Sequence, residues 1–122
     1  MELTQHVLSP MPLDLALVED TTGEDPREFL ADMLPIFLED MPEQIAGLRG
    51  AVQQGDLTTA ERTAHAMKSS SAWIGATEFS DNCRRMESAA RGQEAGLLAG
   101  LFERIARDYT RIVLWVEQQQ LV

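Results

Sequence analysis

The stretch AHAMKSSSAWIGA, Ala64–Ala76, places Lys68, the only lysine of the chain, three residues after His65 among mostly small side chains. Leu57, Ala60, Ala64, Met67, Ser71 and Ile74 recur at spacings of three and four, the stripe that a helix turns toward a core. His65 lies off that stripe, so its imidazole is expected to project into water from mid-helix. Thr58, Glu61, Arg62, Lys68, Ser69 and Ala72 stand three, four or seven positions from it and share its side of the helix.

A neutral imidazole nitrogen is a competent nucleophile near neutral pH. If it takes a phosphoryl group, a dianion appears at the helix surface, and Lys68 is placed to offset part of that charge as a point cation. Ser69 is small enough to leave room for the phosphoryl oxygens and carries a hydroxyl able to donate to them. Ser70 and Ala72 keep the surrounding surface low for an approaching protein. Spacing alone also allows a plainer reading, in which His65 and Lys68 are a solvated surface pair and the serines only let helices pack closely.

Outward from this segment almost everything reads as helix. A short piece over Leu13–Val18 precedes an acidic turn, EDTTGED. Asp25-Pro26 then starts a helix, with Asp as N-cap and Pro at the first helical position. Phe29, Leu30, Met33, Phe37, Met41, Ile45, Leu48 and Val52 continue as an amphipathic stripe. Pro35 and Pro42 interrupt it, and each predicts a kink or a split, because proline lacks an amide donor and clashes with the preceding turn. Gly55-Asp56 ends that element and caps the next. Gly75 closes the helix that carries His65. Phe79, Cys83, Met86 and Ala90 form a further stripe that Gly92 stops. Leu98, Leu101, Ile105, Ile112 and Val116 define a last helix of about 25 residues, on the order of 38 Å long. No segment alternates with period two. The expected fold is all-α: an antiparallel, up-down-up-down four-helix bundle over residues 13–122 with a short extra N-terminal helix. Residues 1–12, with Pro10 and Pro12, read as a flexible lead-in.

The chain has 122 residues, enough for one domain, and carries 20 Asp and Glu against 10 Lys and Arg, net −10. That field repels nucleic acid and anionic membrane surfaces. No segment reaches the ~20 apolar residues of a membrane span, and the N-terminus lacks the basic start and apolar run of a signal peptide. A cytoplasmic monomer is expected. Cys83 is the only cysteine, which excludes an internal disulfide and a cysteine-based zinc site. It falls on an apolar stripe and reads as a packing thiol. His6 stands beside no candidate ligand. Glu19-Asp20 and Glu39-Asp40 lack an oxygen-ligand loop, so no metal site is assigned. No phosphate-cradling glycine loop or Ser-His-Asp arrangement occurs, and no nucleotide site or cofactor is expected.

The segment around His65 resembles the signature of the histidine-containing phosphotransfer (HPt) domain family, Ala-His-x-Leu-Lys-Gly-Ser followed by a Gly-Ala turn. Upstream, FLEDMPEQIAGLRGAVQQGDLTTAERTAH is similar to the family's run into its histidine. Downstream, CRRMESAARGQ is similar to its Cys-x-x-Leu-Glu-x-x-Ala-Arg pattern. The resemblance spans roughly residues 25 to 120. It implies that His65 is the phosphoryl acceptor, that Lys68 stabilises the phosphoryl charge, and that Gly75 is the turn glycine. Met67 stands at a core leucine position, and Ser69 departs from the family's usual glycine.

The implied function is a phosphorelay carrier. It would pass a phosphoryl group between a sensor histidine kinase, usually a hybrid, and an aspartate on a response-regulator receiver domain. The receiver would supply the divalent metal. Thr58, Glu61, Arg62, Ala72 and Trp73 are expected on the partner-binding face, although Trp73 alternatively packs under the lead-in. Two other functions are compatible with a helical bundle. One is an adaptor that sequesters a receiver or kinase without carrying phosphate, a role that would require neither His65 nor Lys68. The other is a kinase dimerisation domain, which would need an ATP-binding domain after it, beyond Val122.

Overall fold

The computed structural model describes residues 11–119. Most of the lead-in expected over residues 1–12, including His6, lies outside the described residues. Five helices follow in order: α1 Leu15–Thr22, α2 Pro26–Gln54, α3 Leu57–Trp73, α4 Thr77–Arg91 and α5 Ala95–Gln119. No strand occurs among the described residues, as the single helical periodicity requires. No helix among them is long and apolar enough to cross a membrane.

The helix starts follow capping chemistry. Asp14, Asp25 and Asp56 each accept an amide hydrogen bond at the head of α1, α2 and α3, satisfying donors that the first turn leaves orphaned. Two corrections to the sequence reading arise, one at a helix end and one at the prolines. The acidic run Glu19–Thr22 is the second half of α1 and not a turn: with Asp14 capping one end, Gly23 in the left-handed conformation closes the other. The helix expected to kink or split at Pro35 and Pro42 is not split; α2 runs through both over 29 residues. Both prolines are exposed, and the buried stripe from Leu30 to Leu48 holds the helix on its other side. Gly92 stops α4 as expected, standing as its C-cap, and the next residue, Gln93, takes the left-handed conformation with φ 59°.

The four long helices pack in a cycle: α2 lies against α3 and α5, and α4 lies against the same two. α1 packs on α2. Leu30, Leu34, Leu48, Met67, Phe79, Met86, Leu98, Ile105 and Ile112 are fully buried at the centre. Phe37, Phe79 and Tyr109 form an aromatic cluster across α2, α4 and α5, with ring centroids 6.1–6.4 Å apart. Phe29, Met33, Val52 and Leu101, expected on buried stripes, are only partly covered. Cys83 is buried; burial, helped by the Asp108 charge, pushes its thiol up to about 12, which makes it an inert packing group as expected.

α1 is fastened where the His65 helix ends. The Asp14 amide donates to the Gly75 carbonyl at 2.8 Å. Gly75 has φ +74°, and a Cβ there would fall 2.8 Å from both the Asp14 carbonyl oxygen and Val18 Cγ2.

Candidate functional site

α3 is built to stand close to α4. Ala60, Ala64 and Ser71 on its inner face are fully buried, and such small side chains let the two helices approach. Ser71 turns its hydroxyl back on its own helix, donating to the Met67 carbonyl at 2.7 Å, so no polar group is left bare in the core. Ser80 of α4 donates to the Lys68 carbonyl at 3.1 Å, which ties the two helices together at the level of the lysine. The C-terminus of α3 closes with the Ala76 amide donating to the Ser71 carbonyl and the Gly75 amide to that of Ala72, at 3.0 and 3.1 Å. This is the paired bond of a glycine-terminated helix.

Across the seam, α4 presents Glu87. Its side chain is only 7% exposed, and its two oxygens take three cationic or hydrogen-bearing partners. Lys68 Nζ donates to Oε1 at 2.7 Å. His65 Nδ1 lies 2.8 Å from Oε2. Arg91, one turn further along α4, donates from Nη2 to Oε2 at 3.0 Å and from Nε to Glu61 at 2.9 Å. The Lys68 hydrogen bond is the strongest influence holding the Glu87 carboxyl below its ordinary range; burial opposes it and the His65 contact adds to it. Glu87 is therefore ionised at neutral pH and accepts only, so Nδ1 of His65 carries the proton. The Nε2 nitrogen is left with its lone pair on a side chain that is 61% exposed. An exposed nucleophilic nitrogen, with its other nitrogen anchored to a buried carboxylate, is what the arrangement offers chemically.

The residues singled out by sequence distribute around this centre. Lys68 is half-buried, drawn inward by Glu87. Ser69 is exposed, and its hydroxyl donates to the His65 carbonyl at 3.3 Å. Glu61 faces Arg91. Thr58, Arg62 and Ala72 are exposed on the same side of α3. Trp73 is 58% exposed and edges a cleft of about 160 Å³ between α2 and α3, with Met33, Ile36, Phe37 and Met41. Among the described residues no cluster of His, Cys, Asp or Glu is arranged to hold a metal ion. Glu87 and Arg91 were missed by spacing within α3, because they arrive from another helix. A signal did exist: Glu87 stands four residues after Cys83 and one after Met86, on the edge of the α4 apolar stripe, where a carboxylate has to find a partner.

The Hpt domain family model matches residues 32–115, from α2 into α5. The chain is similar in structure to histidine-containing phosphotransfer protein B (HptB) from Pseudomonas aeruginosa PAO1, with a TM-score of 0.77 and 24% sequence identity over 93% of this chain and 99% of that one. No curated protein sequence matches the chain. Since the matched residues span most of the helical cycle and include α3 with His65, the chain belongs to the Hpt domain family.

Proposed function

We propose that the protein is a phosphoryl carrier of a phosphorelay, with His65 Nε2 as the acceptor. The observation that carries this reading is the exposed imidazole whose Nδ1 is held by the buried Glu87 carboxylate. In the transfer, the Nε2 lone pair attacks the phosphorus of a receiver aspartyl phosphate. The N–P bond forms, the P–O bond to the aspartate breaks, and the electron pair leaves with the aspartate carboxylate. The ring keeps its Nδ1 proton and becomes cationic, and Glu87, already hydrogen-bonded to that proton, stabilises the positive charge. Lys68, 2.7 Å from Glu87, has further N–H donors to turn toward the phosphoryl oxygens. Ser69 gives access and has a hydroxyl that only a rotation takes from the His65 carbonyl to the phosphoryl group. The steps reverse for return transfer.

The chain brings the nucleophile and a docking face, with Thr58, Glu61, Arg62, Ala72 and Trp73 around His65. The receiver domain of a response regulator supplies the aspartate and the divalent metal that offsets charge on the transferring group. A sensor histidine kinase, hybrid in type, feeds the relay and brings the nucleotide site. The architecture that fits this role is an antiparallel, up-down-up-down four-helix bundle of α2–α5, with α1 as the short extra helix. Connections as short as Gly55-Asp56 between α2 and α3 and Ile74–Ala76 between α3 and α4 support that reversal of direction. A monomer working in the cytoplasm completes the reading.

The test is transfer of label from a receiver charged with acetyl phosphate to the wild type and to His65→Gln. Acid-labile, base-stable label on the wild type alone is the expected result. Equal label on both removes His65 as the acceptor, and a receiver that binds without any label passing points to the sequestering adaptor instead.

A further inference from the structure

We infer that Arg62 is a second cation for the phosphoryl group, contacting it in the free phosphorylated protein and not only when a partner is docked. The inference rests on the carrier reading above and follows from how the charges around His65 are already engaged. Lys68 is bound to Glu87, and Arg91 divides its guanidinium between Glu61 and Glu87. These two cations and two carboxylates match one for one. Arg62 makes no ion pair among the described residues. The carboxylate that feels its field, Asp56, already accepts from the Thr59 amide and hydroxyl at 3.1 and 2.7 Å.

Position supports the assignment. Arg62 precedes His65 by three residues on α3, so the two are neighbours on one face, with about 5–6 Å between Cβ atoms. Helical side chains lean toward the N-terminus, which carries the imidazole over the turn where Arg62 stands. Nδ1 is turned to α4 by Glu87, so a group on Nε2 lies away from Glu87 and on the open, solvent-facing side of α3 that Arg62 shares. Phosphorylation adds a group of about −2 charge against one positive charge on the ring. Without Arg62 the matched quartet becomes a net-negative site within a chain of charge −10. A guanidinium fork meets phosphoryl oxygens in a geometry that an ammonium does not reproduce.

The experiment measures the equilibrium constant for phosphoryl exchange between this protein and a receiver domain that accepts its label, for the wild type, Arg62→Gln and Arg62→Lys. The exchange equilibrium depends only on the free species, so a residue that merely docks the receiver changes the rates and leaves it where it was. We expect Arg62→Gln to shift the equilibrium toward the phosphorylated receiver by roughly three- to tenfold, Arg62→Lys to recover part of the shift, and the difference to shrink in high salt. An unchanged equilibrium constant in Arg62→Gln, whatever happens to the rates, overturns the inference and leaves the carrier reading standing. Absence of label on wild-type His65 overturns the carrier reading and this inference with it.

Discussion

Glu87 Oε2 and His65 Nδ1 stand 2.8 Å apart across the seam of α3 and α4, a buried carboxylate facing an imidazole that is largely in water. The contact sets which ring nitrogen holds the proton and which is free to react, and it stabilises the imidazolium formed when Nε2 takes a phosphoryl group.

Glu87→Ala is expected to slow phosphoryl uptake by tenfold or more, the roughly 1.5–3 kcal/mol of a hydrogen bond to a charged group. Glu87→Gln keeps an acceptor for Nδ1 but loses the charge, and should fall between the alanine variant and the wild type. Rapid-quench transfer assays, with circular dichroism to show that the helices persist, make the comparison. Uptake by Glu87→Ala at the wild-type rate would leave the contact without a role in transfer.

The Lys68–Glu87 pair predicts a particular dependence of stability on pH. Glu87 has its carboxyl lowered below the ordinary 4.5 in the folded protein, chiefly by the Lys68 hydrogen bond. Its contribution is therefore fully present above pH 4.5 and is lost as the pH falls through the lower, folded value. Lys68→Met removes the largest cause of the lowering. Its deficit relative to the wild type should be constant from neutral pH down to the upper edge of that window and should close at lower pH, where Glu87 is protonated in both. Thermal unfolding followed from pH 7 to pH 3 reads this directly. The same variant should keep the fold and shorten the lifetime of phosphohistidine.

Two helix-ending positions should respond in opposite directions. Gly75→Ala combines a left-handed backbone with a Cβ 2.8 Å from the Asp14 carbonyl oxygen, so it should cost about 2–4 kcal/mol and loosen α1 from the end of α3. Gln93→Gly places the permissive residue where φ is 59° and should stabilise by about 0.5–1 kcal/mol. Urea unfolding curves with unchanged slopes would measure both differences. A neutral Gly75→Ala would show that the junction of α1 and α3 yields easily.

Much of the architecture is legible in the sequence, because helical period, caps and glycine ends are local. The apolar stripe of α3 determines that Ala64, Met67, Ser71 and Ile74 turn inward and that His65 turns out, and the structure has them so. The last helix was legible at its full length for the same reason. Local rules erred where the outcome depended on surroundings. Pro35 and Pro42 do not split α2, because the packing of its other face outweighs the hydrogen bonds lost, and the acidic run Glu19–Thr22 is helical because Asp14 and Gly23 cap the helix that contains it.

The chemistry of the site divides in the same way. By itself the sequence determined an imidazole in water with a lysine one turn away, since residues three and four apart on a helix must be neighbours. Only the tertiary structure decided that Lys68 is drawn inward and that the Nδ1 proton is held. Both effects come from Glu87, which lies 22 residues from His65 in the chain and reaches it only because α3 and α4 pack through small residues. A carboxylate nearly closed off from water bonds whatever donors the neighbouring helix brings, and no spacing within α3 contains that information.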